Sequence, residues 1–405
     1  MGRRVMITGI APVGQWGNDG TSLMKCLMMQ QNLARPIPEK FLEYADFTSR
    51  FYVPFPVIDM PNIANRYKRL LSDEDKLAVA ATELALQDAG IISAQKGCVI
   101  FGTGFSGLQN SFKSHLAHIK VPGETLSGRF NRFIIPMTMP NSIAAWVSIL
   151  FGIEGESYTI NASCASGTVA IGQAFQKIKN GECDLAVTGG IENLQDDTGS
   201  IMRGFDSLAT LTRAADGKPH PFSLDRSGFL FCEGCGCVLV LEEFQQVKAR
   251  RGKIYAEILD YQANSDACNI VQIDESGRPI EKILATLSSG HKIDYINTHG
   301  TGTGLNDKVE AAVIQRIFGD AERQPLINAS KGILGHSIGA SGALEAVVTA
   351  MALSTGNIHG NLTSAPIQNL NLVQESVQQE IHLAITTSYG FGGHNCGLLM
   401  GRFDE

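Results

Sequence analysis

Three strings in this chain carry side chains that could act on one another. TINASCASGT, residues 159–168, places Cys164 between a strand-like run and a helix start built of small residues. NTHGTGTGLND sets His299 in a loop of glycine and threonine, and SKGILGHSIGASGALEA sets His336 five residues after Lys331. A thiolate is a strong nucleophile, and imidazoles can hold or move the protons that such chemistry needs. A cysteine at a helix N-terminus is also where the helix dipole favours thiolate over thiol. Alone, Cys164 reads as a small buried hydrophobe, and a lone histidine reads as structural. Two histidines in such settings, with a lysine near one of them, shift the balance to a nucleophilic site. A fourth string, SYGFGGHN, holds Phe391 in a glycine-rich turn whose backbone can approach a ligand closely.

These residues need elements to hold them. Strand and helix patterns alternate through most of the chain, which predicts an α/β fold. Strands are expected at 5–9, 98–101, 157–161, 185–187 and 237–242, then at 293–298, 326–330, 382–387 and 396–400. Helices are expected at 71–90, 165–179, 244–251, 308–318 and 340–353. The first has Ser72 as its cap, acidic residues in its first turn and Gly90 as its stop. In the second, Ile171, Ala174, Phe175 and Ile178 share one face. The candidate residues follow strands, at the edge where open α/β sheets bind ligands. No literal repeat exists, but two halves, 1–250 with the cysteine and 251–405 with the histidines, share a style of strand, functional turn and helix.

NASCASG, PFSLDRSGF, NTHGTGTGLND, SKGILGHSIGASGALEA and SYGFGGHN, in that order, resemble the β-ketoacyl-ACP synthases, the decarboxylating Claisen condensing enzymes. The likeness runs over nearly the whole chain and is closest to the elongating Cys-His-His type. It implies a thiolase-like fold: two similar α/β halves in five layers, αβαβα, usually as dimers. It implies that Cys164 carries the acyl chain as a thioester. It implies that His299 and His336 activate malonyl-ACP and stabilise the enolate left by decarboxylation. Lys331 and Glu345 match the family's supporting pair, with Asp307 beside them. Phe391 and Gly392 match the oxyanion and gate turn, the amides of Cys164 and Phe391 being the expected donors, and Phe229 a phenylalanine near the malonyl site. Arg66, Lys68 and Arg69 match a region where an acidic carrier protein docks. No cofactor is implied beyond the phosphopantetheine carried by ACP, and the dimer is homomeric or pairs with a chain-length-factor subunit.

Some positions depart from the fatty-acid enzymes. NASCASG replaces a threonine-rich turn, and NSDACNIVQIDESGRP is shorter than the usual proline-rich loop and lacks its histidine. His394 follows the gate turn, and Ile134, Ile135, Met137 and Met139 are pocket candidates by position. These departures favour a type II polyketide or polyene ketosynthase, with a fatty-acid-elongating synthase II as the alternative. Thiolases use a second cysteine, for which Cys396 is the candidate; initiating synthases put asparagine where His336 stands. A non-catalytic chain-length factor usually lacks the nucleophile, which is present here.

Composition is that of a globular chain: 44% hydrophobic, 18% charged, formal net charge −7. No basic excess points to nucleic acid. No uninterrupted apolar run reads as a membrane span and the N-terminus does not read as a signal peptide, so the expected location is cytoplasmic. Nine scattered cysteines read as reduced thiols. CEGCGC, with Cys232, Cys235 and Cys237, reads as small buried residues, since no second cluster completes a metal set. GTGFSG at 102–107 has dinucleotide-type glycine spacing but no convincing helix or ribose-binding carboxylate after it. His115 and His118 are expected to face solvent; His359, His382 and His394 receive no catalytic role.

Overall fold

The computed structural model describes residues 2–59, 63–118 and 131–404. Ten strands form the frame. In chain order they are β1 (Val5–Val13), β2 (Cys98–Gly102), β3 (Ser157–Ile160), β4 (Leu185–Asn193) and β5 (Gly234–Glu243), then β6 (Ala256–Ser265), β7 (Tyr295–Asn297), β8 (Leu326–Asn328), β9 (Leu383–Gly390) and β10 (His394–Gly401). Their spatial order is β8-β7-β9-β10-β6-β1-β5-β4-β2-β3. Read from either outer edge inward, each set of five follows the same rule: third strand, second, fourth, fifth, first. The pairings match as well. β2 is parallel to β3 and β4, as β7 is to β8 and β9, and the remaining neighbours run antiparallel. The two sets meet where β1 pairs with β6 over three positions, Val5 with Ile258, Met6 with Glu257 and Ile7 with Ala256.

Six helices cover these strands: α1 (Asp73–Ala89), α2 (Ser142–Phe151), α3 (Ser166–Asn180), α4 (Arg278–Ser288), α5 (Gly304–Phe318) and α6 (Ser341–Thr355). Alternation along the strands explains where each goes. On β5, Cys237, Leu239 and Leu241 face one core, while Val238 and Val240 face another. The first core is shared with α3 and α6 and also receives Tyr295, Ala384, Leu398 and Met400 from the other set. The second core packs under α1 and α2; a third joins Ile296, Ile385 and Leu399 to α4 and α5. The layers are therefore helix, sheet, helix, sheet, helix, with α3 and α6 in the middle. This is the five-layer α/β arrangement that the resemblance implies.

Local chemistry sets the helix ends. Ser72 accepts from the Asp75 amide while the Asp75 carboxylate accepts from the Ser72 amide, a reciprocal cap for α1, and Gly90 closes it in the left-handed region. The Ile171, Ala174, Phe175 and Ile178 face of α3 lies in the central core. α5 begins at Gly304, one turn earlier than the apolar pattern suggested, because Thr303 is already an extended N-cap residue. Ile338–Thr355 is long and apolar enough to cross a membrane by length and composition, against the sequence expectation, but 89% of it is buried. Its apolar surface on all sides is matched to the sheets above and below it.

Candidate active site

After β3 the chain reverses sharply into α3. Ser163 takes a left-handed φ of 53°, and Ser163–Ala165 form a single 3-10 turn. Ser166 Oγ accepts the Ala162 amide at 2.9 Å and donates to the Ser163 carbonyl at 2.7 Å, locking the turn. Cys164 sits on it, 6% exposed. The same device recurs in the other half: Ile338 has φ 47°, Ile338–Ala340 form a 3-10 turn, and α6 follows. The two central helices thus start at matching strained turns, one carrying Cys164 and the other preceded by His336.

The helix start alone favours thiolate, but burial outweighs it. Burial pushes the Cys164 thiol up to about 11; the Ser163 hydroxyl, the Lys331 charge and the Phe391 amide pull in the other direction. Burial thus favours the thiol at rest, against the preference of the helix start for thiolate. The cost of desolvating a charge in this cavity exceeds what one helix terminus returns.

His299 and His336 stand edge to face, ring centroids 5.6 Å apart. Lys331 Nζ donates to the His299 carbonyl at 2.8 Å, lies 3.2 Å from His299 Nδ1 and pairs with Glu345. All four side chains are buried. Burial, then the Lys331 charge, holds both imidazoles well below the ordinary histidine range, so both are neutral. With the ammonium donating to Nδ1, the ring proton of His299 is placed on Nε2. Phe229 and His336 also stand edge to face, centroids 5.0 Å apart.

The β9–β10 turn closes the site. A Cβ on Gly390 would lie 2.7 Å from the Ala162 carbonyl and 3.1 Å from the Cys164 amide, so the turn carrying Phe391 presses directly on the turn carrying Cys164. Gly392 has φ 84° and donates its amide to the Ile270 carbonyl at 2.7 Å. It shapes the turn and is not a free oxyanion donor, a correction to its grouping with Phe391. Ile270 belongs to the shortened segment after β6, which therefore braces the gate turn. One cavity of about 290 Å³ is lined by Cys164, His299, His336, Phe229 and Phe391, with Phe205 also in its wall.

Several expected residues lie elsewhere. Asp307 is fully buried away from the cavity, accepting from the Phe222 amide at 2.8 Å and the Gly302 amide at 3.1 Å, with Arg226 at 3.9 Å. It ties PFSLDRSGF to the glycine loop after His299. Ile134, Ile135, Met137 and Met139 do not line the cavity. They lie on or next to a short separate helix, Ile134–Thr138, with Ile135 67% exposed. Cys396 is buried behind the nucleophile turn, 3.9 Å from the Ala165 carbonyl, and does not line the cavity. Arg66 and Arg69 are exposed and Lys68 partly so, around the four-residue helix Asn65–Lys68. His115, His118, His382 and His394 are exposed, and His359 is buried with Nδ1 on the Gly360 carbonyl.

Buried glutamates hold the loops around the site, a role that the sequence did not reveal. Glu310 accepts the His299 and Gly300 amides, each at 2.9 Å. Glu192 accepts the Gly104 amide at 2.8 Å, the Phe105 amide at 3.0 Å and the Gly339 amide at 2.8 Å. Glu74 takes the Gly107 amide at 2.6 Å. Three of the GTGFSG amides, those of Gly104, Phe105 and Gly107, are thus already occupied by carboxylates, the opposite of a phosphate cradle. Among the described residues no three His, Cys, Asp or Glu side chains could share a metal ion. Cys235 bonds Ser337, Cys232 bonds the Gly234 carbonyl, and Cys237 lies in the central core.

Residues 2–246 match the family described as beta-ketoacyl synthase, N-terminal domain, and residues 255–364 match beta-ketoacyl synthase, C-terminal domain. The chain belongs to the β-ketoacyl synthase family. It is 30% identical to 3-oxoacyl-[acyl-carrier-protein] synthase 1 of Buchnera aphidicola over 414 aligned residues, 99% of this chain and 100% of that one. It is 30% identical to synthase 2 of Vibrio cholerae, covering 99% of each. Among solved structures, a beta-ketoacyl synthase from Burkholderia phymatum superposes with a TM-score of 0.86 at 27% identity, covering 99% of this chain and 100% of that one. The ishigamide ketosynthase/chain length factor gives 0.86 at 26% over the full length of both. A type II PKS ketosynthase in complex with its acyl-carrier protein gives 0.88 at 23%, again full length, a likeness of fold. As a β-ketoacyl synthase, the protein is a condensing enzyme.

Proposed function

We propose that this β-ketoacyl synthase joins an acyl chain held on Cys164 to malonyl-ACP, with His299 and His336 as the activating pair. The observation that carries the assignment is the convergence of Cys164, His299 and His336 on one cavity, with the buried Lys331–Glu345 pair behind. In the first half-reaction Cys164 sulfur attacks the acyl-ACP carbonyl. A carbon–sulfur bond forms, the bond to the carrier's pantetheine sulfur breaks, and the thiol proton leaves on that sulfur. The amides of Cys164 and Phe391 are suited to the tetrahedral oxyanion. In the second, malonyl-ACP loses carbon dioxide, and the electron pair of that bond becomes an enolate. Its oxygen meets N–H donors from the two neutral histidines. The carbanion attacks the Cys164 thioester, a carbon–carbon bond forms, and Cys164 leaves as thiolate to recover a proton. The product is a β-ketoacyl-ACP two carbons longer. Lys331 and Glu345 orient His299, Asp307 holds the loop that carries it, and Phe229 and Phe391 flank the cavity as wall and gate.

The reaction takes its phosphopantetheine from acyl carrier protein and asks for no metal or other cofactor. Arg66, Lys68 and Arg69 are the proposed carrier-docking residues. The pathway reading is a type II polyketide or polyene ketosynthase, supported by the likeness to the ishigamide ketosynthase/chain length factor. The matching strand orders support two halves, 1–250 and 251–405. The open edge strand β3, with Ile135 and Ile149 exposed nearby in the chain, supports a dimer, either with a second copy or with a chain-length-factor-like subunit. Location is proposed as cytoplasmic. A chain-length-factor-like role is disfavoured by the nucleophile in the cavity.

Intact-protein mass spectrometry after incubation with acyl-ACPs of several lengths tests this, beside Cys164→Ala. An acyl mass gain on wild type alone is the expected result. An absence of adduct from every donor, with or without a partner subunit, overturns it.

A further inference from the structure

His299 owes its proton position to a charge, Lys331. Among the described residues no cation touches His336, yet it needs its own proton on Nε2 to donate into the cavity. Its Nδ1 lies 2.8 Å from Ser341 Oγ. Ser341 Oγ also accepts the Ser337 amide at 3.0 Å and lies 3.2 Å from Ser337 Oγ. Ser337 Oγ in turn lies 3.2 Å from Cys235 Sγ, which donates to it. Cys235, Ser337 and Ser341 are each at most 2% exposed, so water does not settle the direction of these bonds.

Counting protons does. If Cys235 gives its proton to Ser337, Ser337 gives its own to Ser341. The two lone pairs of Ser341 are then filled by the Ser337 amide and hydroxyl, and its remaining proton points at His336 Nδ1. The imidazole must carry its proton on Nε2. In the reverse direction the Cys235 thiol proton ends buried with no acceptor, and sulfur serves as a weak terminal acceptor. We propose that Ser341, backed by Ser337 and Cys235, is a positioning residue that fixes His336 as a hydrogen-bond donor to the malonyl thioester. CEGCGC thereby gains a role for its middle cysteine: the end of a hydroxyl chain.

The inference rests on Cys164 carrying the chain, and the experiment separates the two. Ser341→Ala is expected to lower condensation with malonyl-ACP by about 10- to 100-fold, less than the ~10²–10³-fold for losing an oxyanion donor outright. The loss should fall on kcat with KM for malonyl-ACP nearly unchanged, and Cys164 acylation by acyl-ACP should keep its wild-type rate. Cys235→Ala should give a smaller loss, and Cys235→Ser, which restores an O–H donor, should recover it. If Ser341→Ala condenses within twofold of wild type, or if acylation falls in proportion to condensation, the proposal is overturned. A measurement on unmutated protein guards against a folding defect. ¹⁵N-histidine NMR, with the His336 signals assigned by difference against His336→Gln, should show Nδ1 unprotonated and Nε2 protonated. The opposite tautomer overturns the proposal even if Cys164 is acylated; failure of acylation alone overturns the functional assignment and leaves the tautomer result standing.

Discussion

A thiol as buried as Cys164 keeps its proton at neutral pH, because burial, the largest influence, pushes it up to about 11. The reactive thiolate fraction should therefore keep growing well past the ordinary thiol range. Alkylation of Cys164 by iodoacetamide, followed by peptide mass spectrometry, is expected to accelerate steadily from pH 7 to beyond pH 9. A plateau near pH 7 would mean that the helix terminus and Lys331 outweigh burial after all. Lys331 offers a second test. It is 2% exposed and its partner Glu345 1%, so Lys331→Met leaves a carboxyl stranded in the centre of the molecule. Breaking such a pair costs about 3–5 kcal/mol where the remaining charge is retained. Glu345 is already raised to about 7 by burial, and without Lys331 its folded value rises further above the unfolded one. The loss is then small at low pH and grows as pH climbs. Thermal melting of Lys331→Met at pH 6 and pH 8 should show the larger deficit at pH 8, and adding Glu345→Gln should remove that difference.

Helices α3 and α6 decide whether residues 177 positions apart in sequence, Cys164 and Ser341 with its turn, meet at all. They approach through small residues. A Cβ on Gly342 would lie 2.1 Å from Thr168 Oγ1 and 2.8 Å from Ser388 Oγ, and one on Gly167 would lie 2.8 Å from the Ala343 amide. Gly342→Ala is expected to cost about 1–3 kcal/mol through overpacking, read as a lower Tm with reduced condensation. Gly204→Ala is the matched control: nothing lies within 4 Å of its Cβ, in the helix Ser200–Ser207, so stability should hold or rise by about 0.5–1 kcal/mol. Equal effects of the two would remove the crossing argument. Much at this scale was legible in sequence. Ser72, the acidic first turn and Gly90 predict α1, and the Ile171 to Ile178 spacing predicts the inner face of α3. The small residues after Cys164 and His336 were visible too, but what they approach was not. Glu192 shows the limit most clearly. GGIEN reads as strand, and nothing local says that its carboxylate gathers amides from residues 104, 105 and 339, which tertiary contact alone brings together.

At the scale of the whole molecule, the five ordered motifs carry the family and hence the five layers, whereas the shared strand order of the two halves leaves only a loose trace in sequence because no residue repeats. Stacking five layers has an electrostatic consequence that composition, at net charge −7, does not reveal. Carboxyls needed to hold loop amides end up buried between layers. Burial raises Glu74 to about 8 and Glu192, Glu233, Glu310 and Glu345 to about 7. Each binds its proton more tightly folded than unfolded, so its contribution is full below the unfolded value near 4.5 and is lost as pH rises through 7 to 8. The buried histidines act in the opposite sense: burial lowers His359 to about 4 and His299 and His336 well below 6.5. Their contribution grows with pH but is complete once the unfolded state is neutral, above about 6.5. From pH 6.5 to 8 the last of the histidine gain fades while the five carboxyls keep changing, so on balance unfolding releases protons. Tm in buffers of equal ionic strength is expected to fall across that window. Glu233 lies outside the cavity lining and accepts the Phe55 amide at 2.9 Å; the amide oxygen of glutamine can accept it too. Glu233→Gln should therefore flatten the decline without altering Cys164 acylation. A Tm that rises from pH 6.5 to 8 would show that these carboxyls are ionised in the folded protein, with loop amides and Lys331 holding their charge more strongly than burial opposes it.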